Sequence, residues 1–145
     1  MTTPTKRNVL VVDDEPDVRE LLQDVLGTGD VEVTTAASGY EAVDAARRHA
    51  PDLVIADLAL HDCTGLEVID RLRARTKDLP AVVITGRPAR GLAEASRRRR
   101  VELLTKPLDL ARLQTTVEAQ LRQGDEVRRL RGRTRRLRAV ARRIN

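Results

Sequence analysis

The 145-residue chain has little cysteine and almost no aromatic residues. Its single cysteine, Cys63, cannot form an internal disulfide, which excludes a disulfide-stapled secreted scaffold and a cysteine-rich zinc site. Tyr40 is the only aromatic residue, so we expect no base-stacking platform for single-stranded nucleic acid. The apolar run near the N-terminus is too short for a signal peptide or a membrane span, which predicts a cytoplasmic location.

Charge is unevenly distributed along the chain. It carries 27 Lys and Arg against 22 Asp and Glu, a net charge of +5. Residues 1–121 hold 17 basic and 20 acidic side chains, whereas residues 122–145 hold 10 basic and 2 acidic ones. We therefore predict an N-terminal tail (1–6), a mildly acidic domain (7–122) and a basic amphipathic helical extension (123–145).

Short β-branched runs alternate with helical patterns in the predicted domain. Five strand–helix pairs in about 120 residues predict an α/β fold, a doubly wound parallel sheet with helices on both faces. The predicted strands are 9–12, 31–35, 53–56, 81–84 and 101–105. The predicted helices are about 16–26, 40–49, 65–75, 89–99 and 110–121, and Ser38 is a predicted N-cap of the second.

Polar or charged residues follow four of the five predicted strands. Asp13 and Asp14 follow the first strand, and Asp57, Thr85 and Lys106 follow the third, fourth and fifth. Each alone is an ordinary turn or capping residue. In a doubly wound sheet, however, the carboxyl ends of the strands form the ligand site, so the pattern predicts one shared pocket.

Three carboxylates in one small pocket repel each other unless a cation neutralises them. A hard divalent ion such as Mg²⁺ suits oxygen ligands of this kind. With a lysine and a hydroxyl beside them, the pocket could hold a tetrahedral dianion, and an aspartate could act as a nucleophile that forms an acyl phosphate.

This combination resembles the receiver domain of two-component response regulators. The matching segments are 8–16, 38–42, 52–58 with Gly65 eight residues after Asp57, 82–86 and 104–107. The resemblance covers about residues 7–122 and implies a flavodoxin-like fold. It also implies a phosphoacceptor signalling domain rather than an enzyme, since such domains catalyse only their own phosphotransfer and dephosphorylation.

The resemblance implies that Asp57 accepts a phosphoryl group from the phosphohistidine of a sensor histidine kinase or a phosphotransfer protein. The metal, Mg²⁺ or Mn²⁺, would be bound by Asp13, Asp14, Asp57 and the main-chain carbonyl of Ala59.

Thr85 and Lys106 would bind the phosphoryl group, and the Lys106–Pro107 peptide bond would be cis. The new charge would then shift the face formed by the fourth helix, fifth strand and fifth helix. Through that face the domain would dimerise or contact a downstream effector protein or domain.

The chain departs from the family pattern at three places. Leu103 stands where receivers place a Tyr or Phe, so the aromatic rotamer change that accompanies switching has no counterpart here. His61 replaces the usual proline four residues after Asp57, and we interpret it as an exposed loop residue. Residues 97–100 are four consecutive arginines on the expected signalling face, where an acidic partner surface is a hypothesis.

The basic extension follows Gly124, which we expect to interrupt the last helix of the domain. Its apolar residues have a heptad-like spacing and predict an amphipathic helix: Val127, Leu130, Thr134, Leu137, Ala141 and Ile144. The flanking Arg131, Arg133 and Arg138 would face their own copies in a parallel homodimeric coiled coil, and the resulting repulsion disfavours that assembly. We favour an interdomain or partner helix. Contact with nucleic-acid or lipid phosphates is the other interpretation, and nucleic-acid binding would be non-specific because no helix-turn-helix fits in so few residues.

Two alternative functions stay open. A degenerate receiver-fold interaction module is compatible with Leu103, although the complete set of pocket residues argues against it. An Asp-nucleophile phosphohydrolase would usually need a carboxylate two residues after Asp57, where Ala59 stands.

Overall fold

The computed structural model describes residues 6–144, and it contains five strands and five helices in strict alternation. The strands are β1 Arg7–Val12, β2 Val31–Ala36, β3 Leu53–Asp57, β4 Ala81–Thr85 and β5 Glu102–Thr105. The helices are α1 Pro16–Leu26, α2 Gly39–Arg48, α3 Gly65–Arg73, α4 Leu92–Arg98 and α5 Leu110–Ile144. Residues 1–5 of the predicted N-terminal tail and Asn145 of the extension lie outside the described residues.

The strands form one parallel sheet in the order β2-β1-β3-β4-β5, which confirms the predicted doubly wound fold. Alternate strand residues point to opposite faces, so Val9 and Val11 pack with α1 and α5, whereas Leu10 and Val12 pack with α2 and α3. Both faces are covered, which explains why the central strands are unbroken apolar runs.

The helix starts follow from local chemistry. Pro16 occupies the first position of α1, where its missing N–H costs no hydrogen bond. Ser38 caps α2, as predicted, by accepting a 3.0 Å hydrogen bond from the Glu41 N–H, and Thr64 caps α3 in the same way. Helix α4 begins at Leu92 rather than at residue 89, after Gly91, which has φ +81°.

The expected interruption at Gly124 is wrong. Helix α5 runs without a break from Leu110 to Ile144. Gly124 is buried, and a Cβ atom there would lie 2.9 Å from the Pro80 Cγ. The glycine therefore allows α5 to pass close to the turn before β4, and the predicted boundary between residues 122 and 123 lies inside one helix.

Residues 125–131, just beyond that boundary, are attached to the domain by ion pairs. Arg128 Nη1 lies 2.7 Å from Asp52 Oδ1, and Asp125 pairs with Arg7. Arg131 pairs with Asp78. Within the described part of the chain, no ion pair or side-chain hydrogen bond links residues 132–144 to another element. None of the helices described for residues 6–144 has the length and apolarity needed to cross a membrane.

Candidate functional site

The predicted pocket residues lie at the carboxyl edge of the sheet, where β1 and β3 are neighbours. The pairing of Val12 with Ala56 places Asp13 and Asp57 side by side as the next residue of each chain segment. This is the point at which the strand order reverses, and ligands of doubly wound folds bind at such points.

Three carboxylates meet there. Asp13, Asp14 and Asp57 each offer one oxygen, and these oxygens all lie within 4.8 Å of one another. Asp13 and Asp57 are buried, whereas Asp14 is exposed. The β1–α1 loop is held by two hydrogen bonds, from the Glu15 N–H to Asp13 Oδ1 (2.9 Å) and from Arg19 Nη1 to the Asp13 carbonyl (2.7 Å).

The three carboxylates repel one another when all of them are ionised. Burial raises the pKa of Asp13, and the charge of Asp57 adds to the effect, against the lowering by the Glu15 N–H. Burial also raises the pKa of Asp57, although Lys106 and the Ala59 N–H oppose the shift. A hard divalent cation complements three oxygen donors in this state, so the residues present fit Mg²⁺.

Lys106 completes the charged part of the pocket. Its Nζ lies 3.7 Å from Asp57 Oδ2, and the side chain is half-buried. The Lys106 N–H donates to the Thr85 carbonyl at 2.8 Å, which fixes the exit of β5 beside that of β4. The Lys106–Pro107 peptide bond is cis.

Thr85 is buried at the end of β4, and its hydroxyl is engaged in its own turn. Oγ1 donates to the Arg87 carbonyl (2.9 Å) and accepts from the Arg87 N–H (3.2 Å). Since Asp57 pairs in register with Ile84, Thr85 lies one residue further along the same edge. The hydroxyl is therefore beside the pocket but is not bonded to Asp57.

The backbone around Asp57 is closely packed against the start of α3. The Gly65 N–H donates to the Leu58 carbonyl at 2.9 Å, and a Cβ on Gly65 would lie 2.5 Å from the Asp57 carbonyl oxygen. Only glycine allows this approach, which gives the spacing between Asp57 and Gly65 a physical reason.

Three further residues identified in the sequence lie outside the carboxylate cluster. Ala59 and His61 are on the loop after β3, and Leu103 is in β5. Ala59 is exposed, and its N–H acts to lower the pKa of Asp57, while the role of its carbonyl as a metal ligand stays a prediction. His61 is exposed on the following loop. Leu103 is half-buried and packs against the core on the α2–α3 face, so the aromatic position is occupied by an aliphatic core residue.

Asp62, which no sequence motif indicates, anchors the loop after β3. Its two carboxylate oxygens accept hydrogen bonds from the N–H groups of Gly39 and Tyr40, each at 3.0 Å, and these bonds lower the pKa of Asp62. The loop beside the pocket is thereby tied to the start of α2. Its partners are more than 20 residues away in sequence, so no local pattern could have revealed this contact.

Comparisons with known proteins agree with this geometry. Residues 9–118 match the family model described as the response regulator receiver domain. The chain is 36% identical over 112 residues to an uncharacterized 14.6 kDa protein of Leptolyngbya boryana, covering 75% of this chain and 86% of that protein. It is 34% identical over 119 residues to the response regulator protein PilR of Pseudomonas aeruginosa, covering 81% of this chain and 27% of PilR.

Solved structures show the same fold. The signal receiver domain of an HD domain-containing protein from Pseudomonas fluorescens Pf-5 aligns with a TM-score of 0.80 at 21% identity, covering 89% of this chain and 96% of that chain. The chain spans about a third or less of the length of several curated relatives that it matches.

Proposed function

Because the chain belongs to the response regulator receiver family, we propose that it is a phosphorylation-controlled switch of a two-component system in which Asp57 is the phosphoacceptor. The observation that carries the proposal is the position of Asp57. It is buried at the end of β3, beside two further carboxylates and 3.7 Å from the Lys106 ammonium.

The proposed reaction is a transfer of a phosphoryl group between two side chains. A carboxylate oxygen of Asp57 attacks the phosphorus of a phosphohistidine on a histidine kinase or phosphotransfer protein. The phosphorus–nitrogen bond breaks, and its electron pair stays on the imidazole nitrogen. Lys106 then faces the new dianion and compensates part of its charge.

Asp13, Asp14 and Asp57 would hold Mg²⁺ or Mn²⁺, together with the Ala59 carbonyl. The ion, when bound, would neutralise negative charge on the transferring phosphoryl group. The raised pKa values of Asp13 and Asp57 support this assignment, since burial disfavours their charged forms and the charge of Lys106 does not fully offset this effect.

The conformational response begins at Thr85. Its hydroxyl would release the Arg87 carbonyl and bond a phosphoryl oxygen, while Lys106 stays paired with the modified Asp57. Thr85 ends β4, whose following loop leads into α4, and Lys106 directly follows β5, so the change would reach the α4–β5–α5 face. Because Leu103 is an aliphatic core residue, the response would travel through the backbone of α4 and β5 rather than through an aromatic rotamer.

We place the protein in the cytoplasm. The output would be a downstream effector protein, an attached domain or a second copy bound through the α4–β5–α5 face.

The basic extension supports a mechanical connection between the domain and its output. Helix α5 is continuous across residue 122, and the pairs of Arg128 with Asp52 and Arg131 with Asp78 fasten its next turns to the domain. A shift of α5 would therefore move the extension as well.

Two alternatives make different predictions. A degenerate interaction module would bind partners without phosphorylation, and Leu103 is the observation in its favour. A phosphohydrolase would turn over external substrate, but Ala59 offers no carboxylate for acid–base catalysis at that position.

Incubation with acetyl phosphate and Mg²⁺, followed by intact mass measurement, tests the proposal. We expect an adduct of about 80 Da, the mass of one phosphoryl group, which EDTA prevents. Asp57→Ala should lack the adduct, whereas Asp24→Ala, which changes an exposed aspartate on α1, should retain it. An adduct that persists in Asp57→Ala, or no adduct together with no response to beryllium fluoride, would contradict the proposal.

A further inference from the structure

Two arginine-rich segments that are distant in sequence line the same groove. The groove has a volume of about 690 Å³ and lies between the α3–β4 turn, the α4–β5 turn and α5. It is at the amino ends of β4 and β5, which is the end of the sheet opposite Asp57. Arg98, Arg99 and Arg100 line it from one side, and Arg131 of the extension lines it from the other.

Positive charge predominates in the groove. Six basic side chains face two acidic ones, Asp70 and Asp78. Arg99 pairs with Asp70, and Arg131 pairs with Asp78. The exposed Lys77 and Arg100 form no ion pair among the described residues, so the groove keeps a net positive charge.

A half-buried arginine holds the walls of the groove in place. The Arg73 guanidinium donates to the Leu79 carbonyl at 2.9 and 2.8 Å, to the Arg99 carbonyl and to the Arg100 carbonyl at 3.3 Å. Burial lowers the pKa of Arg73. The α3–β4 and α4–β5 turns are thus tied together through one side chain, and the groove is preformed.

Arg100 has a backbone conformation that favours glycine. Its φ is +54°, and the Val101 N–H bonds the Ser96 carbonyl at 2.9 Å while the Arg100 N–H bonds the Arg97 carbonyl at 3.1 Å. This is the Schellman end of a helix, in which the left-handed residue is usually glycine. A non-glycine residue there costs about 1–2 kcal/mol, and strained residues cluster at functional sites. The side chain placed at this cost lines the groove.

The groove continues into a row of arginines on the extension. Arg131, Arg135, Arg138 and Arg142 recur at three- and four-residue spacing, so they share one side of α5. At 1.5 Å per residue the row is about 17 Å long. These residues are exposed, and residues 127–144 contain no acidic side chain.

We propose that the groove and this arginine row form one surface that binds the phosphate backbone of duplex nucleic acid without reading its sequence. Arginine pairs with phosphate through two parallel N–H groups, which suits a repeating phosphate chain. A small phosphate ligand would fill only the groove, and a flat lipid surface would contact the exposed row but not the groove. The duplex is favoured over a single strand because Tyr40, on α2, is the only aromatic residue, so bases have no side chains to stack on. The surface does not include Asp57, so this binding does not depend on the proposed phosphorylation.

Fluorescence anisotropy with a labelled 20-base-pair duplex and the full chain tests the proposal. With about five phosphate contacts, log K should fall with log salt with a slope of about −4.5, which is about a 500-fold loss between 50 and 200 mM salt. Phosphorylation is measured separately by intact mass, so a failure here does not bear on Asp57.

Three double variants with the same change in net charge separate the contributions. The groove variant combines Arg98→Glu with Arg100→Glu. The row variant combines Arg135→Glu with Arg138→Glu. The control combines Arg47→Glu with Arg48→Glu, which changes exposed arginines on α2. We expect the first two to weaken binding at least tenfold and to reduce the slope by about two. The control should change affinity less than threefold.

Arg100→Gly separates binding from folding, because glycine relieves the positive φ. This variant should keep or raise the Tm while it lowers the affinity. The proposal is overturned by any of four results: no binding at 50 mM salt, an unchanged affinity in the groove variant, an equal loss in the α2 control, or tighter binding to a single strand, an acidic peptide or anionic vesicles than to the duplex.

Discussion

Replacing Asp13 by asparagine should stabilise the protein when no divalent cation is present. Asp13 is 2% exposed, and its Oδ1 accepts the Glu15 N–H. The asparagine amide oxygen can accept the same hydrogen bond, so the substitution removes a charge with little change in shape. The free energy of unfolding should then rise because one source of repulsion in the pocket is gone.

The size of the effect follows from the spacing of the carboxylates. At 4.8 Å, the upper limit of the separations between the carboxylate oxygens, two unit charges repel by about 3.5 kcal/mol at an effective dielectric constant of 20. Lys106 and the solvent near Asp14 offset part of this repulsion. We therefore expect Asp13→Asn to raise the free energy of unfolding by about 2 kcal/mol at pH 7.5 in EDTA, which is about 6 °C in Tm for a chain of this length.

The pH dependence has a definite sign. The pKa values of Asp13 and Asp57 are raised in the folded state, so folding takes up protons. The wild-type protein should gain stability as the pH falls from neutral through these raised values, and the gain should be complete below the ordinary aspartate pKa of about 4. Asp13→Asn should show a smaller gain over the same interval.

Urea unfolding in EDTA and in Mg²⁺ provides the assay. At a Mg²⁺ concentration tenfold above its Kd, the wild-type protein should gain about 1.4 kcal/mol, whereas the variant, which lacks one ligand, should gain less. The difference between the two proteins should therefore shrink. Asp24→Asn on the exposed side of α1 should change stability by less than about 0.5 kcal/mol. A variant that is less stable than wild type in EDTA would refute the electrostatic reasoning.

Three further predictions concern packing. Gly124→Ala should lower the free energy of unfolding by about 1 kcal/mol, because the clash with Pro80 outweighs the gain in helix propensity. Its control is Gly132→Ala, which places the new Cβ in open space and should not lower the Tm. Gly65→Ala should slow phosphorylation and lower the Tm, since the new Cβ would displace the Asp57 backbone; an unchanged rate would count against that contact. Arg73→Met should cost about 2–3 kcal/mol in urea unfolding by leaving backbone carbonyls without donors, and a neutral effect would show that Arg73 does not hold the turns.

Much of the fold could be predicted because its signals are local. Strands buried on both faces must be apolar throughout, which makes β1, β3 and β4 recognisable as short runs. The residues directly after such runs must lie at one edge of a parallel sheet. Asp13, Asp57 and Lys106 could therefore be assigned to one pocket from their sequence positions, and the fold brings them together.

The features that the sequence did not predict correctly depend on tertiary contacts. Glycine is a poor helix former, which predicts an interruption at Gly124, but its buried approach to Pro80 requires the absence of a side chain. The hydrogen bonds of Asp62 to α2 and of Arg73 to two turns join residues far apart in sequence. The convergence of the two arginine runs on one groove likewise requires the fold, because neither run indicates the other.

Mapping the modified residue is the strictest test of phosphorylation at Asp57. After reaction with acetyl phosphate and Mg²⁺, borohydride reduction converts an aspartyl phosphate to homoserine, which tandem mass spectrometry can locate. We expect homoserine at position 57 and at none of the other aspartates, including Asp13, Asp14 and Asp62. Homoserine at another aspartate with position 57 unmodified would contradict it.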